Sequence, residues 1–304
     1  MKLRQKNIII KIQRLDSEVI DLKTDNRKRK KHKTVYKSKA TLVTYIILRL
    51  AVLIAMALSI VTKKYENLFV CVLALILFLL PSFTEKKFAI EVPSVLEVII
   101  LLFIFAAEIL GEMNSFYVKY RFWDSMLHTI NGFLCAAIGF AMVDILNRNS
   151  KIKFSLSPVY LAVAAFCFSM TIGVLWEFFE FSADMLLHTD MQKDTIVHTI
   201  SSVALNPDGV NKSVIIKDIS QVAVNGELLP TDGYIDIGLI DTMKDLFVNF
   251  IGAVVFSIIG YFYVKHNGKG KFARNFIPRL SSDFLEKEKV KEVSDSNGSD
   301  SQIQ

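Results

Sequence analysis

The stretch PVYLAVAAFCFSMTIGVLWEFFE, residues 158 to 180, indicates how this chain folds. No charged residue precedes Glu177 in it, and an α-helix needs about 20 apolar residues to cross a hydrocarbon layer of about 30 Å. The run ends in Trp176, Glu177 and Glu180, and Asp184 and Asp190 follow. The stretch therefore predicts a membrane span with carboxylates gathered at its exit.

The rest of the chain has the composition of a membrane protein. Of its 304 residues, 52% are hydrophobic and 23 are Phe, which exceeds the usual content of a soluble domain. Apolar windows of span length predict six spans. Each span is expected to be a helix, because the backbone N–H and C=O groups of an open strand would lack hydrogen-bond partners in lipid. The spans are Thr41 to Val61, Glu66 to Phe83, Pro93 to Leu110, Met126 to Leu146, Pro158 to Glu180, and Asp245 to Val264. We predict an all-α polytopic membrane protein.

Lysine and arginine placement predicts the direction of these spans. Residues 1–40 hold 14 Lys and Arg against four acids, and the turn from Arg148 to Lys153 is also basic. Since cytoplasmic loops carry the excess of basic residues, both termini are expected in the cytoplasm, with the chain in a bacterial plasma membrane. The segments near Lys63, around Glu112 to Asp124, and from Asp184 to Asp241 then face outward.

This topology divides the chain into five parts. They are a basic cytoplasmic arm (1–40), spans one to five (41–184), an extracytoplasmic insertion (185–243), span six (244–265) and a partly disordered cytoplasmic tail (266–304). The arm contains NIIIKIQRLDSEVIDLK and then RKRKKHK, which favours a short interfacial helix held against anionic lipid. Basic runs beside a first span are usually topology signals, so we do not expect nucleic acid as a partner.

The insertion is too long for a plain connection between two spans. Its segments IVHTISSVAL, SVIIKDI, QVAV and ELL are rich in β-branched or apolar residues and are separated by the turn sequences NPDG and NG. We expect a small antiparallel β unit that caps the outer side.

Polar residues of three spans are predicted to meet at the outer end. The fourth span enters there with Asp124, His128 and Asn131, and the fifth leaves there with Glu177 and Glu180. The sixth span begins with Asp241, Asp245 and Asn249, which are spaced by four and therefore share one face of the helix. Near the outward end of the third span lies one further acid, Glu108. The sequence therefore predicts one shared polar pocket.

Several of these residues have an ordinary structural explanation. Asp124 and Asp245 fall in the predicted first turns of their helices, where a carboxylate caps free amides. Glu177 and Glu180 gain nothing from the helix dipole and need a counter-charge, protons or a metal ion. A lone His128 is more often a hydrogen-bonded core residue than a ligand, but beside several acids both readings stay open.

Three motifs on consecutive spans carry a family resemblance. WDSMLHTINGF, LWEFFEFSAD and DTMKDLFVNFIGA resemble the YjdF-like family of bacterial inner-membrane proteins and, more distantly, the VanZ-like membrane proteins. The resemblance covers roughly residues 40 to 265 and implies a bacterial multi-spanning membrane protein. No biochemical activity is established for the YjdF-like family, so the resemblance supplies no reaction.

Three functions compete. In the first, a divalent metal ion acts on an outer-leaflet lipid or lipid-linked envelope precursor; His128, Glu177, Glu180 and Asp245 are its ligands or acid/base groups. The residues that support them are Asp124, Asn249, Asp241 and Glu108. The others are a non-catalytic scaffold or sensor, and transport of a proton or small solute, which predicts ionisable groups across the full membrane thickness. The sequence does not decide whether the protein is an enzyme.

Overall fold

A computed structural model describes residues 38–88, 90–147, 156–266, 268 and 270–281. The basic arm before residue 38 and the end of the tail lie outside this part of the chain. The interfacial helix, its contact with anionic lipid and the disorder of the last residues therefore stay predictions.

In the described part of the chain, six helical spans are long and apolar enough to cross a membrane, which confirms the predicted fold class. The helices are α1 (Lys39–Val61), α2 (Tyr65–Leu77), α3 (Leu80–Phe88), α4 (Ser94–Phe105), α5 (Phe116–Lys119), α6 (Trp123–Asn147), α7 (Pro158–Leu187), α8 (Leu239–Lys265) and α9 (Lys271–Arg274). Helices α2 and α3 together form the second span. Helix α4 continues into a π-helical segment, Ala106–Met113, to form the third.

The fifth and sixth spans are longer than the sequence predicted. Helix α7 continues past Glu180 to Leu187, because no helix-breaking residue intervenes. Helix α8 begins at Leu239. The residue before it, Gly238, has a left-handed backbone with a φ of 83°, which an α-helix cannot include. Asp245 therefore lies in the second turn of α8 and cannot cap that helix, contrary to the expectation from sequence.

The spans form two packed halves. Buried side chains of α1, α2 and α4 make one apolar core, including Leu48, Cys71 and Leu101. Side chains of α6, α7 and α8 make the second core, in which Phe140 and Phe256 pack edge to face. The candidate site residues of the second half are therefore positioned by α6, α7 and α8.

Glycines let α6 and α8 touch through their backbones. A Cβ atom placed on Gly252 would lie 2.1 Å from the carbonyl oxygen of Thr129, and one on Gly132 would lie 2.1 Å from that of Asn249. Small residues allow such close approach between membrane helices, where packing and polar contacts replace the hydrophobic effect. This contact fixes the register of α6 against α8.

A short strand pair closes one end of the bundle, here called the tail end. Strand β1 (Ile90–Glu91), between α3 and α4, pairs antiparallel with β8 (Arg279–Leu280), which follows α9. The two strands follow the second and the sixth spans. An even number of spans separates them, so their pairing is consistent with six crossings.

The opposite end, here called the insertion end, carries the β-rich insertion between α7 and α8. Three two-stranded antiparallel ladders form there: β2 with β7 (Ile196–Val197 with Tyr234–Ile235), β3 with β4 (Ile200–Ser202 with Val214–Ile216), and β5 with β6 (Ala223–Val224 with Glu227–Leu228). Asn225 and Gly226 join the last pair with positive φ angles, as the NG sequence predicts.

Acidic side chains fasten this insertion to the helix ends. Asp184 of α7 accepts hydrogen bonds from the Thr189 hydroxyl at 2.7 Å and from the amides of Met191 at 2.7 Å and Gln192 at 2.8 Å. Asp236 caps α8 by accepting from the amide of Ile240 at 2.8 Å. The segment after α7 is thereby held across the insertion end.

We expect Gly252→Ala to destabilise the protein. The added methyl group would force α6 and α8 apart, and overpacking of this kind costs typically about 1–3 kcal/mol in the free energy of unfolding. The melting temperature of detergent-purified protein measures the loss. Gly270→Ala is the control, because its Cβ would meet only ordinary contacts at 3.6 Å. Equal melting temperatures for the two variants would contradict the close contact.

We expect Asp184→Ala to loosen the segment after α7. Hydrogen bonds to a charged group contribute about 1.5–3 kcal/mol each, so amide exchange at Met191 and Gln192 should become about tenfold faster or more. Hydrogen–deuterium exchange with mass spectrometry measures this rate. Asp232→Ala, which changes an exposed acid of the same insertion, should leave it unaltered. Unchanged exchange in Asp184→Ala would refute this fastening role.

Candidate metal centre

Helices α6, α7 and α8 bring the predicted site residues together near the insertion end. Two groups of ligand-bearing side chains form, each with its ligand atoms within 4.8 Å of one another: Asp124, His128 and Asp245, and His128, Glu177 and Glu180. All four residues proposed as ligands from the sequence belong to these groups. They meet because helical spacing places Asp124 above His128 on α6 and Glu177 beside Glu180 on α7.

His128 belongs to both groups. Its Nε2 lies 3.5 Å from Oδ1 of Asp124 and 4.0 Å from Oδ2 of Asp245. Its Nδ1 lies 3.8 Å from Oε1 of Glu177. Each ring nitrogen therefore faces a different set of carboxylates.

Two of the carboxylates are buried with oxygens that lack a hydrogen bond. Glu177 is 4% exposed, and neither of its side-chain oxygens makes a hydrogen bond of ordinary geometry to a described residue, although the side chains of Thr242 and Gln192 lie close enough to interact with it. Asp245 is 1% exposed, and its Oδ1 makes no such hydrogen bond either. Since a buried unpaired carboxylate is strongly disfavoured, these oxygens call for a bound cation or a proton.

The positive charge present lies on one side of the cluster. Lys244 places its Nζ 2.7 Å from Oδ1 of Asp241 and 3.8 Å from Oδ1 of Asp245. Among the described residues, no lysine or arginine forms an ion pair with Glu177. Glu180 accepts a hydrogen bond at Oε1 from the indole N–H of Trp176, on its own helix, at 2.8 Å. The glutamates thus have less compensation than the aspartates.

An amide layer lies one helical turn deeper and separates the carboxylates from the apolar core. The Nδ2 of Asn131 donates to Oδ1 of Asn249 at 3.4 Å, and Nδ2 of Asn249 reaches the carbonyl of Ser169 at 3.5 Å. The Ser169 hydroxyl donates to the carbonyl of Gly132 at 2.7 Å. Asn249 of α8 therefore links α6 and α7 beneath the cluster. Among the described residues, no hydrogen bond joins Asn249 to a carboxylate of the cluster.

Glu108 lies on the π-helical segment, a form of helix that often occurs at functional sites, and its charge acts on Tyr117 of α5. Tyr117 of α5 packs over Gly111 of the same segment. Burial raises the pKa of the Tyr117 hydroxyl above its usual range, and the charges of Asp124, Glu112 and Glu108 raise it further. The connection before α6 thus borders the acidic cluster.

The donor set suits a divalent cation. Carboxylate oxygens and one imidazole bind hard or borderline metals at about 2.0–2.6 Å. Donors about 2.1 Å from one tetrahedral ion lie about 3.4 Å apart, so the His128 nitrogens and the carboxylate oxygens now 3.5, 3.8 and 4.0 Å from them would close by a few tenths of an ångström to bind a small ion. The orphaned oxygens of Glu177 supply the ligand atoms that this requires.

Lys244, Trp176 and Tyr117 had no assigned role in the sequence interpretation. Lys244 was detectable, because it stands three residues after Asp241 and hence on the same helix face. Tyr117 was not, since it lies outside the predicted spans and its position depends on how α5 folds against Gly111. Gln192, which donates to the Thr242 hydroxyl at 2.5 Å, was likewise hidden by its place in the insertion.

Comparisons with known proteins give a family and no activity. The family model described as predicted membrane protein (DUF2238) matches residues 43–266. An uncharacterized protein of Thermotoga maritima is 30% identical over 107 residues, which is 35% of this chain and 53% of that protein. The chain thus spans about half the length of this curated relative. No solved structure matches the chain.

The matched range runs from the second turn of α1 to just beyond the end of α8 and includes every residue of the cluster. It agrees loosely with a YjdF-like resemblance, and the comparisons give no support to a VanZ-like one. Since the family model covers six spans and more than half of the sequence, the chain belongs to the family of predicted membrane proteins called DUF2238.

Proposed function

We propose that the cluster is a divalent-cation centre that acts on an outer-leaflet lipid or a lipid-linked envelope precursor. His128, Glu177, Glu180 and Asp245 are its ligands or acid/base groups. Asp124, Asp241, Asn249 and Glu108 support them. The observation that carries the proposal is the burial of Glu177, 4% exposed, with neither carboxylate oxygen in a hydrogen bond of ordinary geometry to a described residue.

The balance of charge favours a metal ion over the side chains alone. Five carboxylates surround one lysine and one histidine; they are Asp124, Glu177, Glu180, Asp241 and Asp245. Ionised carboxylates in so dry a place are costly unless a cation compensates them. A divalent ion bound by oxygen and imidazole donors would supply that charge.

The depth of the cluster supports a lipid substrate. Glu180 stands seven residues before the end of α7, which corresponds to about 10 Å along the helix axis. Its neighbours Phe178, Phe179 and Phe181 are exposed apolar side chains on the same helix. With the insertion end outward and both termini cytoplasmic, as the basic arm favours, the cluster stands at the headgroup level of the outer leaflet of a plasma membrane.

A cation in this position supplies Lewis acidity toward a phosphoryl or carbonyl oxygen of the headgroup. Trp176 holds Glu180 in place through its indole N–H, and the amide layer of Asn131 and Asn249 fixes the helices below. The positive charge of Lys244 lies beside Asp241 and Asp245. In this position the lysine attracts an anionic headgroup. A carboxylate that is not engaged by the ion serves as base.

A scaffold or sensor is the second candidate, and the insertion favours it. No apolar side chain between Thr195 and Asp236 is buried, and Ile215, Val224 and Leu228 are exposed. A β unit without its own core presents these side chains to an envelope partner. Transport receives less support, because Phe140 and Phe256 are fully buried and close the bundle beneath the amide layer.

We expect detergent-purified wild-type protein to retain divalent metal and Glu177→Gln to retain less of it, because the amide keeps the shape of the side chain and removes its charge. Elemental mass spectrometry after equilibration with Zn²⁺ and removal of free ion measures the content. Ligand loss should lower affinity at least about 10–100-fold, as even supporting groups do.

Asp144→Asn is the matched control, since it changes a buried acid on the same helix as His128 at the far end of the bundle. It should keep the metal content of the wild type. A well-folded wild-type protein that binds no divalent ion would refute the metal centre.

We expect the lipid extract of a strain that carries Glu180→Gln to accumulate the same lipid or lipid-linked species as a deletion strain. Loss of a metal ligand or acid/base group removes the reaction and leaves its substrate. Mass spectrometry of both extracts, beside strains with the wild type and with Asp144→Asn, makes the comparison. Identical envelope lipids in all four strains would refute the lipid reaction, and a partner crosslinked through the insertion would then favour the scaffold.

A further inference from the structure

We infer that the centre binds two divalent cations, one on each side of the His128 imidazole. This inference rests on the proposed metal function and specifies it. One ion lies with Asp124 and Asp245 at Nε2, and the other lies with Glu177 and Glu180 at Nδ1.

The geometry separates the two positions. The two groups of potential ligands share His128 and no other residue. Nε2 faces the aspartates, with Asp124 at 3.5 Å, and Nδ1 faces Glu177 at 3.8 Å. The nitrogens of an imidazole point away from each other, so one ion cannot occupy both positions.

Each position has its own orphaned oxygen. On the Nδ1 side, neither side-chain oxygen of Glu177 makes a hydrogen bond of ordinary geometry to a described residue. On the Nε2 side, Asp245 places its Oδ2 4.0 Å from the ring nitrogen; its other oxygen, Oδ1, lacks a hydrogen-bond partner among the described residues and has Nζ of Lys244 3.8 Å away. Asp245 is 1% exposed, so bulk water does not solvate that oxygen. A single ion would satisfy one of these positions and leave the other buried and unpaired.

The charge of the cluster is close to that of two ions. With its carboxylates ionised, Lys244 protonated and the bridging imidazole deprotonated, the cluster carries a net charge of about −5, of which two divalent ions offset four. One ion beside a neutral imidazole would leave about two negative charges in a buried place.

To bind both ions, the His128 imidazole would give up its ring N–H proton, so that each nitrogen offers one lone pair. Metal–nitrogen bonds of about 2.0–2.1 Å on both sides of the ring set the ions roughly 6 Å apart. This is wider than the about 3.5–4 Å of pairs bridged by carboxylates. The spacing allows the two ions to contact different oxygens of one headgroup.

The number of bound ions tests the inference on the intact chain. Purified protein is equilibrated with Zn²⁺, cleared of loosely bound ion by a weak chelator, and analysed for zinc per chain. Two ions support the inference. One ion overturns it and leaves the proposed metal function standing, whereas no ion overturns both.

Substitutions then assign each ion to its side. Asp124→Asn should reduce the content from two ions to one, and Glu180→Gln should also leave one. Asp144→Asn should keep two. Loss of both ions in Asp124→Asn and Glu180→Gln alike, in protein that still melts as the wild type does, would overturn separate positions.

A spectroscopic readout does not depend on any variant. Wild-type protein loaded with Mn²⁺ should show an electron paramagnetic resonance signal broadened by a second ion about 6 Å away. Half-loaded protein should show the sharper signal of isolated Mn²⁺. An isolated signal at full loading would refute the pair.

Discussion

The cost of burying carboxylates between membrane helices is the constraint on which this structure depends. Glu177 and Asp245 lie where water does not reach, and their helices are pressed together so closely that α6 and α8 touch through backbone at Gly132 and Gly252. Such packing leaves little of either acid in contact with solvent. The fold can tolerate them only with a compensating cation or with bound protons, and the same need makes the site suited to bind cations.

Much of this arrangement could be predicted from the sequence, because the signals involved are local and strong. Apolar runs of span length predict helices in lipid with little ambiguity, and spacing of three or four residues places Asp124 with His128 and Glu177 with Glu180. The direction of successive spans then brings the three motifs to one end. The candidate ligands therefore followed from periodicity and chain direction alone.

The remaining features depend on contacts between distant residues, which no local pattern encodes. The amide layer needs the register of α6 against α8, and the sequence shows only two asparagines and some glycines. The start of α8 was misplaced because Asp236 and Gly238 set it from outside the apolar window. Tyr117 packs against Gly111 of the π-helical segment. A π-helix has more residues per turn than an α-helix, so α-helical spacing does not predict which residues of this segment face Tyr117.

The pairing of β1 with β8 also bears on the order in which the chain is made. Ile90 and Leu280 are 190 residues apart, and a ribosome completes the first three spans long before it makes the partner strand. The early spans must therefore enter the bilayer while β1 still lacks its partner strand β8. Final closure of the bundle falls to the last described residues, after α8 has crossed, so assembly of the tail end is a late event of biogenesis.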